Sequence, residues 1–223
     1  TIDKNNGNFF GIQSFRTIFA LLKIIMKDKI ISKATHLFLK LGFKSVTMDD
    51  IANEMCISKK TIYKYFCNKE ILIAETTETL TNTIYSTINE IVAKNYNAIE
   101  ENFEIIKMIK EMFVSIETSP SYQLKKHYPE IHEKLTEKLQ SECTTLFKQN
   151  IEKGIQEGLY RNTINVSSYV YFYYALIFTI NENTSSEKEA KKLELEALEY
   201  HIRAMATTKG ISELNNYLYS NQS

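Results

Sequence analysis

An all-α fold is predicted by three features of this sequence. Its 223 residues include only two prolines and six glycines, the residues that interrupt helices most often. Glu, Lys, Leu and Ile are frequent, and apolar residues recur at helical spacing without the strict alternation that is typical of strands. The hydrophobic fraction of 43% and the charged fraction of 24% are those of an ordinary globular protein. The length fits one large or two small domains.

The first part of the chain, residues 1–26, fits this plan least well. Residues 9–25 are largely apolar but include Arg16 and Lys23, and the stretch is too short and too charged to span a bilayer. A signal peptide is also a poor fit, because no small-residue cleavage site follows. We therefore expect residues 1–26 to be an extra segment, with Met26 as the natural start and upstream or cloning sequence before it. The alternative is an additional amphipathic helix that lies on the body.

A compact group of helices is predicted for residues 27–72. Residues 27–41 carry an apolar stripe at helical spacing. Gly42 is suited to end this helix, and Phe43 is placed to fold back on its last turn.

Three further helices are marked by side chains that cap helix N-termini. Thr47 precedes the second helix, Ser58 the third and Asn68 the fourth, and each can accept a backbone N–H hydrogen bond. Cys56 and Ile57 lie at the corner between the second and third helices. The pattern therefore predicts a helix-turn-helix followed by a longer helix.

Helices are also predicted for the remaining residues, 73–223, separated by short polar segments. Their expected limits are about residue 93 for the fourth helix, then residues 98–116, 129–157, 166–180 and 187–206, with a short terminal helix after Gly210. Pro129 opens one of them, a position at which proline is favoured.

The net charge is zero, but the charges are unevenly distributed. Residues 27–69 hold nine lysines and four acidic residues, a balance of +5. Residues 70–223 hold 15 basic and 22 acidic residues, a balance of −7. A basic head on an acidic body indicates that one end of the molecule meets a polyanion.

The third helix presents polar side chains on the face that remains after its apolar residues are buried. Ile51, Met55, Ile57, Ile62 and Tyr65 can pack together around the small Ala52. The residues left outward are Lys59, Lys60, Thr61, Tyr63 and Lys64, which can meet phosphates or base edges. Lys69 begins the fourth helix, where a bound phosphate would offset a cation placed at a helix N-terminus.

Residues 47–72 resemble the helix-turn-helix of TetR/AcrR-type transcriptional regulators. The matching residues are Thr47, Ile51, Ala52, Ile57, Ser58, Thr61, Ile62, Tyr63, Tyr65, Phe66, Asn68, Lys69, Glu70 and Leu72. Met55 and Cys56 stand where the family usually has Ala-Gly. The corner residue often needs a left-handed backbone, so we expect slight strain at Cys56.

The resemblance implies how this segment meets double-stranded DNA. Lys59, Lys60 and Tyr63 would face the major groove, while other residues hold phosphates. The full set expected to bind DNA is Thr47, Ser58, Lys59, Lys60, Thr61, Tyr63, Lys64, Tyr65 and Lys69. The resemblance further implies a cytoplasmic repressor, with residues 27–72 as the DNA-binding domain and residues 73–223 as the effector-binding and dimerisation domain.

A homodimer is predicted by the aromatic residues 166–180, VSSYVYFYYALIFTI, which one small domain cannot bury completely. An ordinary central core helix is the alternative. The residues expected at the dimer interface are Tyr169, Phe172, Leu176, Leu195, Leu198 and Ile202. A dimer would present two reading helices about 34 Å apart to a palindromic operator.

The resemblance also implies a small-molecule effector, whose identity the sequence does not name. The candidate pocket residues are Tyr85, Phe103, Met108, Met112, Phe113, Tyr122, Phe147, Tyr173 and Phe178. They include no charge cluster of one sign, so a largely apolar effector is expected.

Other functional classes are less well supported. The sequence has no phosphate-binding loop, no G-x-S-x-G and no HExxH motif, so no enzyme is predicted. The three cysteines are scattered, which argues against a disulfide framework and a zinc site, and no metal or cofactor is expected. The alternative function is a helical protein-interaction module, or a small-molecule-binding protein without regulatory DNA binding.

Overall fold

A computed structural model describes residues 7–114 and 116–220, with side chains from residue 20 onward. Over these residues it contains ten helices and no strand, which confirms the all-α class. The helices are α1 (Gly7–Leu41), α2 (Met48–Glu54), α3 (Lys59–Tyr63), α4 (Lys69–Val92), α5 (Ala98–Met112), α6 (Pro120–His127), α7 (Pro129–Gln156), α8 (Val166–Asn183), α9 (Glu187–Met205) and α10 (Thr208–Ser220). None of them is both long and apolar enough to cross a bilayer.

The helix α1 begins earlier than the sequence predicted. It continues without a break through residue 26, where we expected the natural start of the chain. The side chains of Leu21, Leu22, Ile24 and Ile25 are exposed, so residues 20–25 do not lie on the body. The first fully buried position of α1 is Ile30, and Met26, about one turn earlier, already packs against the core of the head. The expectations for residues 1–6 fall outside the described residues.

The head consists of the C-terminal half of α1, α2, α3 and the start of α4. Its core contains Ile30, Phe38, Ile51, Ile62 and Phe66, all fully buried. Gly42 has a φ of +94°, and the ring of Phe43 folds back to stack on Phe38 at 5.5 Å between centroids. The predicted end of the first helix is thereby confirmed.

The body is built from α5 and α7–α10, with α4 running into it from the head. A second core, which includes Ile99, Ile151, Leu198 and Ile202, joins these helices. His201 is also buried there, its ring stacked on Tyr173 at 4.3 Å between centroids. Burial lowers the pKa of His201 to about 4, so this histidine is a neutral part of the core.

The body differs from the prediction at three places. The helix α6 (Pro120–His127) was expected to be loop, and α5 ends at Met112 rather than near residue 116. Gly210 lies within α10 instead of separating it from α9. A side chain at Gly210 would overlap the backbone of Leu159, so this glycine allows α10 to approach the α7–α8 connection closely.

Candidate nucleic-acid interface and ligand cavity

The first helix of the helix-turn-helix is held by a reciprocal cap. The backbone N–H of Asp50 donates to the Thr47 hydroxyl at 3.1 Å, and the backbone N–H of Thr47 donates to the Asp50 carboxylate at 2.8 Å. The hydrogen bonds from Thr47, the backbone one first, lower the pKa of the Asp50 carboxyl. Such a capping box fixes the point at which α2 begins.

The helix α3, the second helix of the helix-turn-helix, is anchored at both of its ends. The Ser58 hydroxyl accepts the backbone N–H of Thr61 at 3.1 Å, and the two hydroxyls lie 2.8 Å apart. Ile62 and the following Phe66 are fully buried in the head. Because these apolar residues fix the rotation of α3, its opposite face is held toward solvent.

The outward face of α3 carries the lysines and the tyrosine that the sequence singled out. Lys59, Lys60, Tyr63 and Lys64 are all exposed. The ammonium of Lys59 is 2.8 Å from a carboxylate oxygen of Asp49 and 5.9 Å from the ring centroid of Tyr63. The hydrogen bond to Asp49, followed by its charge, raises the pKa of Lys59. The helix α3 therefore presents a cationic row at the surface.

Tyr65 and Lys69 lie nearer to the rest of the protein than their neighbours do. Tyr65 is half-buried and packs against the head core. The Lys69 ammonium donates to the carbonyl of Lys44 at 3.0 Å and lies 5.8 Å from the ring centroid of Tyr128. Lys44 is itself exposed and adds a cation that the motif alone did not identify. The sequence could have indicated this lysine, because it directly follows Gly42-Phe43 in the turn before α2.

A cavity of about 630 Å³ lies inside the body. Apolar side chains of α4, α5, α7 and α8 form most of its wall, a composition typical of small-molecule sites. Five of the nine predicted pocket residues line it: Tyr85, Phe113, Phe147, Tyr173 and Phe178.

The other four predicted pocket residues are not part of the cavity wall: Phe103, Met108, Met112 and Tyr122. Phe103 stacks on Tyr217 at 4.5 Å between ring centroids, within the body core. Tyr122 lies beneath the ammonium of Lys126, which is 5.7 Å from its ring centroid. The face of α5 that borders the cavity carries Ile105 and Ile109 instead, so selecting aromatic and Met residues picked the wrong side of this helix.

Charged side chains also line the cavity, and these charges were not predicted from the sequence. Glu101 and Lys153 form an ion pair of 2.6 Å on one wall. Glu187, Lys191 and Glu194 form a second group at the start of α9. Within residues 7–114 and 116–220, no group of three or more His, Cys, Asp and Glu side chains is placed to hold a metal ion.

The outer faces of α8 and α9 form an apolar surface. Phe172 is 56% exposed, Leu176 39% and Leu195 40%. Tyr171 and Tyr200 were not predicted there, yet they are also exposed. We call these five residues the α8–α9 face.

Two of the six expected interface residues lie elsewhere. Leu198 and Ile202 are fully buried inside the subunit and cannot meet another chain. Leu195 lies on nearly the same side of α9 about one turn earlier, where that side is exposed. Tyr169 is half-buried, with its hydroxyl donating to the carbonyl of Ala204 at 3.4 Å.

Comparison with known proteins agrees with the geometry of the head. Residues 30–76 match the family model described as bacterial regulatory proteins of the tetR family. This segment is a DNA-binding domain of the TetR family of transcriptional regulators. The match covers the head and the first turns of α4, the same segment that carries the exposed lysine row.

Curated relatives extend the similarity into the body. An uncharacterised HTH-type transcriptional regulator, YhgD of Bacillus subtilis, is 29% identical over 146 residues, 61% of this chain and 73% of the relative. The negative transcriptional regulator of the biofilm operon icaADBC, IcaR of Staphylococcus epidermidis, is 27% identical over 124 residues, 51% of this chain and 67% of the relative. A solved transcriptional regulator from Cytophaga hutchinsonii has a TM-score of 0.67 at 18% identity, covering 81% of this chain and 98% of its own. At 18% identity, the similarity to the Cytophaga hutchinsonii structure concerns the fold alone.

The turn of this TetR-family head has the left-handed backbone that was expected at Cys56. Its φ is +53°, and it alone has a positive φ among the non-glycine residues that the structure describes. The backbone N–H of Cys56 donates to Asn53 and that of Ile57 to Ala52, both at 3.0 Å, which ends α2. The cysteine side chain is therefore accommodated in a conformation that favours glycine.

Replacing Cys56 by glycine is expected to raise the free energy of unfolding by about 1 kcal/mol, because the left-handed conformation is costly for a residue with a Cβ. Thermal or urea unfolding would measure the change. Cys67→Gly is the matched control, since Cys67 is also exposed but its φ is not positive. The control is expected to lose stability by roughly 0.5–1 kcal/mol, because glycine gains freedom in the unfolded chain. Equal effects of the two changes would contradict strain at the turn.

Proposed function

We propose that this chain is a ligand-responsive repressor that binds a palindromic operator as a homodimer and is released by a small, largely apolar effector. The observation that carries the proposal is the exposed row of Lys59, Lys60, Tyr63 and Lys64 on a helix held in place by buried apolar residues. Side chains of these types reach phosphates and base edges when such a helix enters the major groove.

Repression is favoured over activation by the similarity to IcaR, whose name describes a negative transcriptional regulator. The basic head, with a balance of +5 over residues 27–69, favours duplex DNA as the partner. A regulator of this kind acts where the DNA is, so we place it in the cytoplasm. We propose no catalytic activity, in line with relatives that are transcriptional regulators.

Dimerisation is supported by the α8–α9 face. Exposed aromatic and Leu side chains of this kind are enriched at protein interfaces rather than over the general surface. Pairing of this face with the same face of a second copy would form a four-helix bundle with two-fold symmetry. The two heads would then address half-sites about 34 Å apart.

Release by an effector is supported by the helix α4, which connects the cavity in the body to the head. Thr77, Thr81 and Ile88 of α4 line the cavity, and α4 begins in the head at Lys69. Phe43 of the head also borders it. A ligand that shifts α4 would therefore move the head directly.

The helix α6 provides a second connection between cavity and head. Leu124 lines the cavity, while the neighbouring Gln123 side chain accepts the backbone N–H of Phe43 at 3.0 Å. The hydroxyl of Tyr128, directly after α6, donates to the Phe43 carbonyl at 3.2 Å. Displacement of α6 would therefore be transmitted to the turn that precedes α2.

Selection of binding sites from a random duplex library by the purified protein would test the proposal. We expect enrichment of one palindromic sequence, because two identical heads read the same half-site in opposite directions. Affinity for this site is expected to fall by roughly 10³–10⁵-fold between about 50 and 200 mM salt if six to ten phosphates are contacted.

Four results would contradict parts of this proposal. A salt-independent affinity, or the absence of any enriched sequence, would favour an interaction module or a ligand-binding protein without regulatory DNA binding. An enriched sequence without two-fold symmetry would argue against the dimer. If the protein binds the selected site but does not reduce transcription from a promoter that contains this site, repression would be contradicted.

A further inference from the structure

The cavity wall formed by α8 and α9 contains two buried carboxylates that share one lysine. The Lys191 ammonium lies 2.8 Å from an oxygen of Glu194 and 3.4 Å from an oxygen of Glu187. The second oxygen of Glu194 accepts the side-chain amide of Asn181 at 2.7 Å. Glu187 is only 3% exposed and Glu194 only 7%, so solvent contributes little to stabilising their charges.

The part of the wall formed by α5 and α7 is electrically balanced. One oxygen of Glu101 accepts from the Lys153 ammonium at 2.6 Å, and the other accepts from the Asn150 amide at 2.7 Å. Three carboxylates and two ammonium groups thus line the cavity, which leaves one negative charge in excess at the α8–α9 wall. Burial raises the pKa of Glu187; the charge of Lys191 opposes this shift and that of Glu194 adds to it.

The helix α9 offsets this excess only in part. Glu187 lies in its first turn, where the helix dipole stabilises an anion, by typically 0.3–1 kcal/mol for an exposed side chain. A ligand anion at this wall would add to the excess negative charge, whereas a ligand cation would neutralise it.

An aromatic ring adjoins the same group. The Lys191 ammonium is 5.7 Å from the ring centroid of Phe113, which also lines the cavity. A ligand cation beside the two carboxylates would therefore also lie near an aromatic ring. Away from it the wall is mainly aliphatic, including Ile105, Ile109 and Ile177.

From this arrangement we propose that the effector is an amphipathic monocation: an apolar body with an amine or quaternary ammonium head that lies against Glu187 and Glu194, beside Phe113. This inference rests on the proposed effector cavity and specifies the chemistry of its ligand. The cavity volume of about 630 Å³ is within the range of sites for drug-sized molecules.

Three probes with the same ten-carbon chain separate the charge of the head from the apolar body: decyltrimethylammonium, decanol and decanoate. Calorimetric titration of the full chain, below the concentrations at which the probes aggregate, measures their affinities. We expect the cation to bind about tenfold more tightly than decanol, and decanoate to bind most weakly. Equal affinities of the cation and decanol, or a preference for decanoate, would overturn the inference.

The variant Glu187→Gln removes the excess charge with little change in size. It is expected to weaken binding of the cation by about tenfold and to leave decanol unaffected. The control Glu196→Gln changes an exposed carboxylate of the same helix, outside the cavity wall, and should change neither affinity. Equal binding of the cation by wild type and Glu187→Gln would refute the role of Glu187. If that variant does not fold, Glu194→Gln and the ranking of the three probes decide the question.

Operator binding in the same samples separates this inference from the proposed function. If decanol binds and releases operator without any preference for the cation, the charged head is wrong and the ligand-responsive repressor stands. If the protein binds operator but none of the three probes, the proposed cation site is wrong while the proposed DNA binding remains. If the ligand-free protein fails to bind operator, the regulator proposal itself fails, whatever the probes do.

Discussion

Replacing Lys59, Lys60 and Tyr63 together by alanine is expected to reduce affinity for the selected operator by roughly 100-fold, the effect of two base contacts worth about tenfold each. All three side chains are exposed on α3, and the helix is held by Ser58 and Ile62, which the variant keeps. The fold should therefore persist, with the same circular dichroism and nearly the same melting temperature. Fluorescence anisotropy with the operator duplex would measure the loss.

A matched control alters the same residue types away from the head. Lys188, Lys192 and Tyr219 are exposed on α9 and α10, and Lys192 is ion-paired with a carboxylate much as Lys59 is. The triple alanine variant at these positions makes the same change in net charge and should bind operator normally. A comparable loss in both variants would show that overall charge, rather than the surface of α3, determines DNA binding.

Replacing Gly210 by alanine is expected to lower the free energy of unfolding by about 3 kcal/mol, the upper range for overpacking. The added Cβ would overlap the carbonyl oxygen of Leu159 and lie 3.0 Å from its carbonyl carbon and 3.1 Å from the Cβ of Ala206. The oxygen belongs to the backbone and accepts the N–H of Thr207 at 2.9 Å, so it cannot move independently. Thermal unfolding should show a melting temperature lower by roughly 6–12 °C.

Gly158→Ala is the control for this loss. A Cβ at Gly158 would meet no atom within 4 Å, but its φ of +72° disfavours any side chain. Its expected loss is about 1 kcal/mol, from backbone strain alone. A Gly210 variant as stable as the Gly158 variant would show that α10 can move away from Leu159 without cost.

The head could be predicted in detail because its signals are local. Thr47, Ser58 and Asn68 each accept the backbone N–H of the residue three positions ahead, so short stretches of sequence fix where α2, α3 and α4 begin. The left-handed backbone at Cys56 likewise follows from the two-helix corner itself. None of these features depends on distant parts of the chain.

The helix α6 was missed because its sequence resembles a loop. It has eight residues, and Leu124 is the single buried side chain among them. Its helical state depends on packing against the head, where Gln123 and Tyr128 hold the backbone of Phe43. Such contacts, between residues about 80 positions apart, are not visible in local periodicity.

The sequence by itself determined the helical class, the caps of the reading head and the identity of its cationic row, because spacing along one helix dictates each of them. Tertiary structure decided how much of α9 is buried: Leu198 and Ile202 are fully buried, whereas Leu195, on nearly the same side about one turn earlier, is 40% exposed. It also decided that Ile105 rather than Met108 borders the cavity, and that Glu187 and Lys191 meet there. Periodicity shows that a helix has two faces, but only the neighbouring helices determine which face meets solvent, core or cavity.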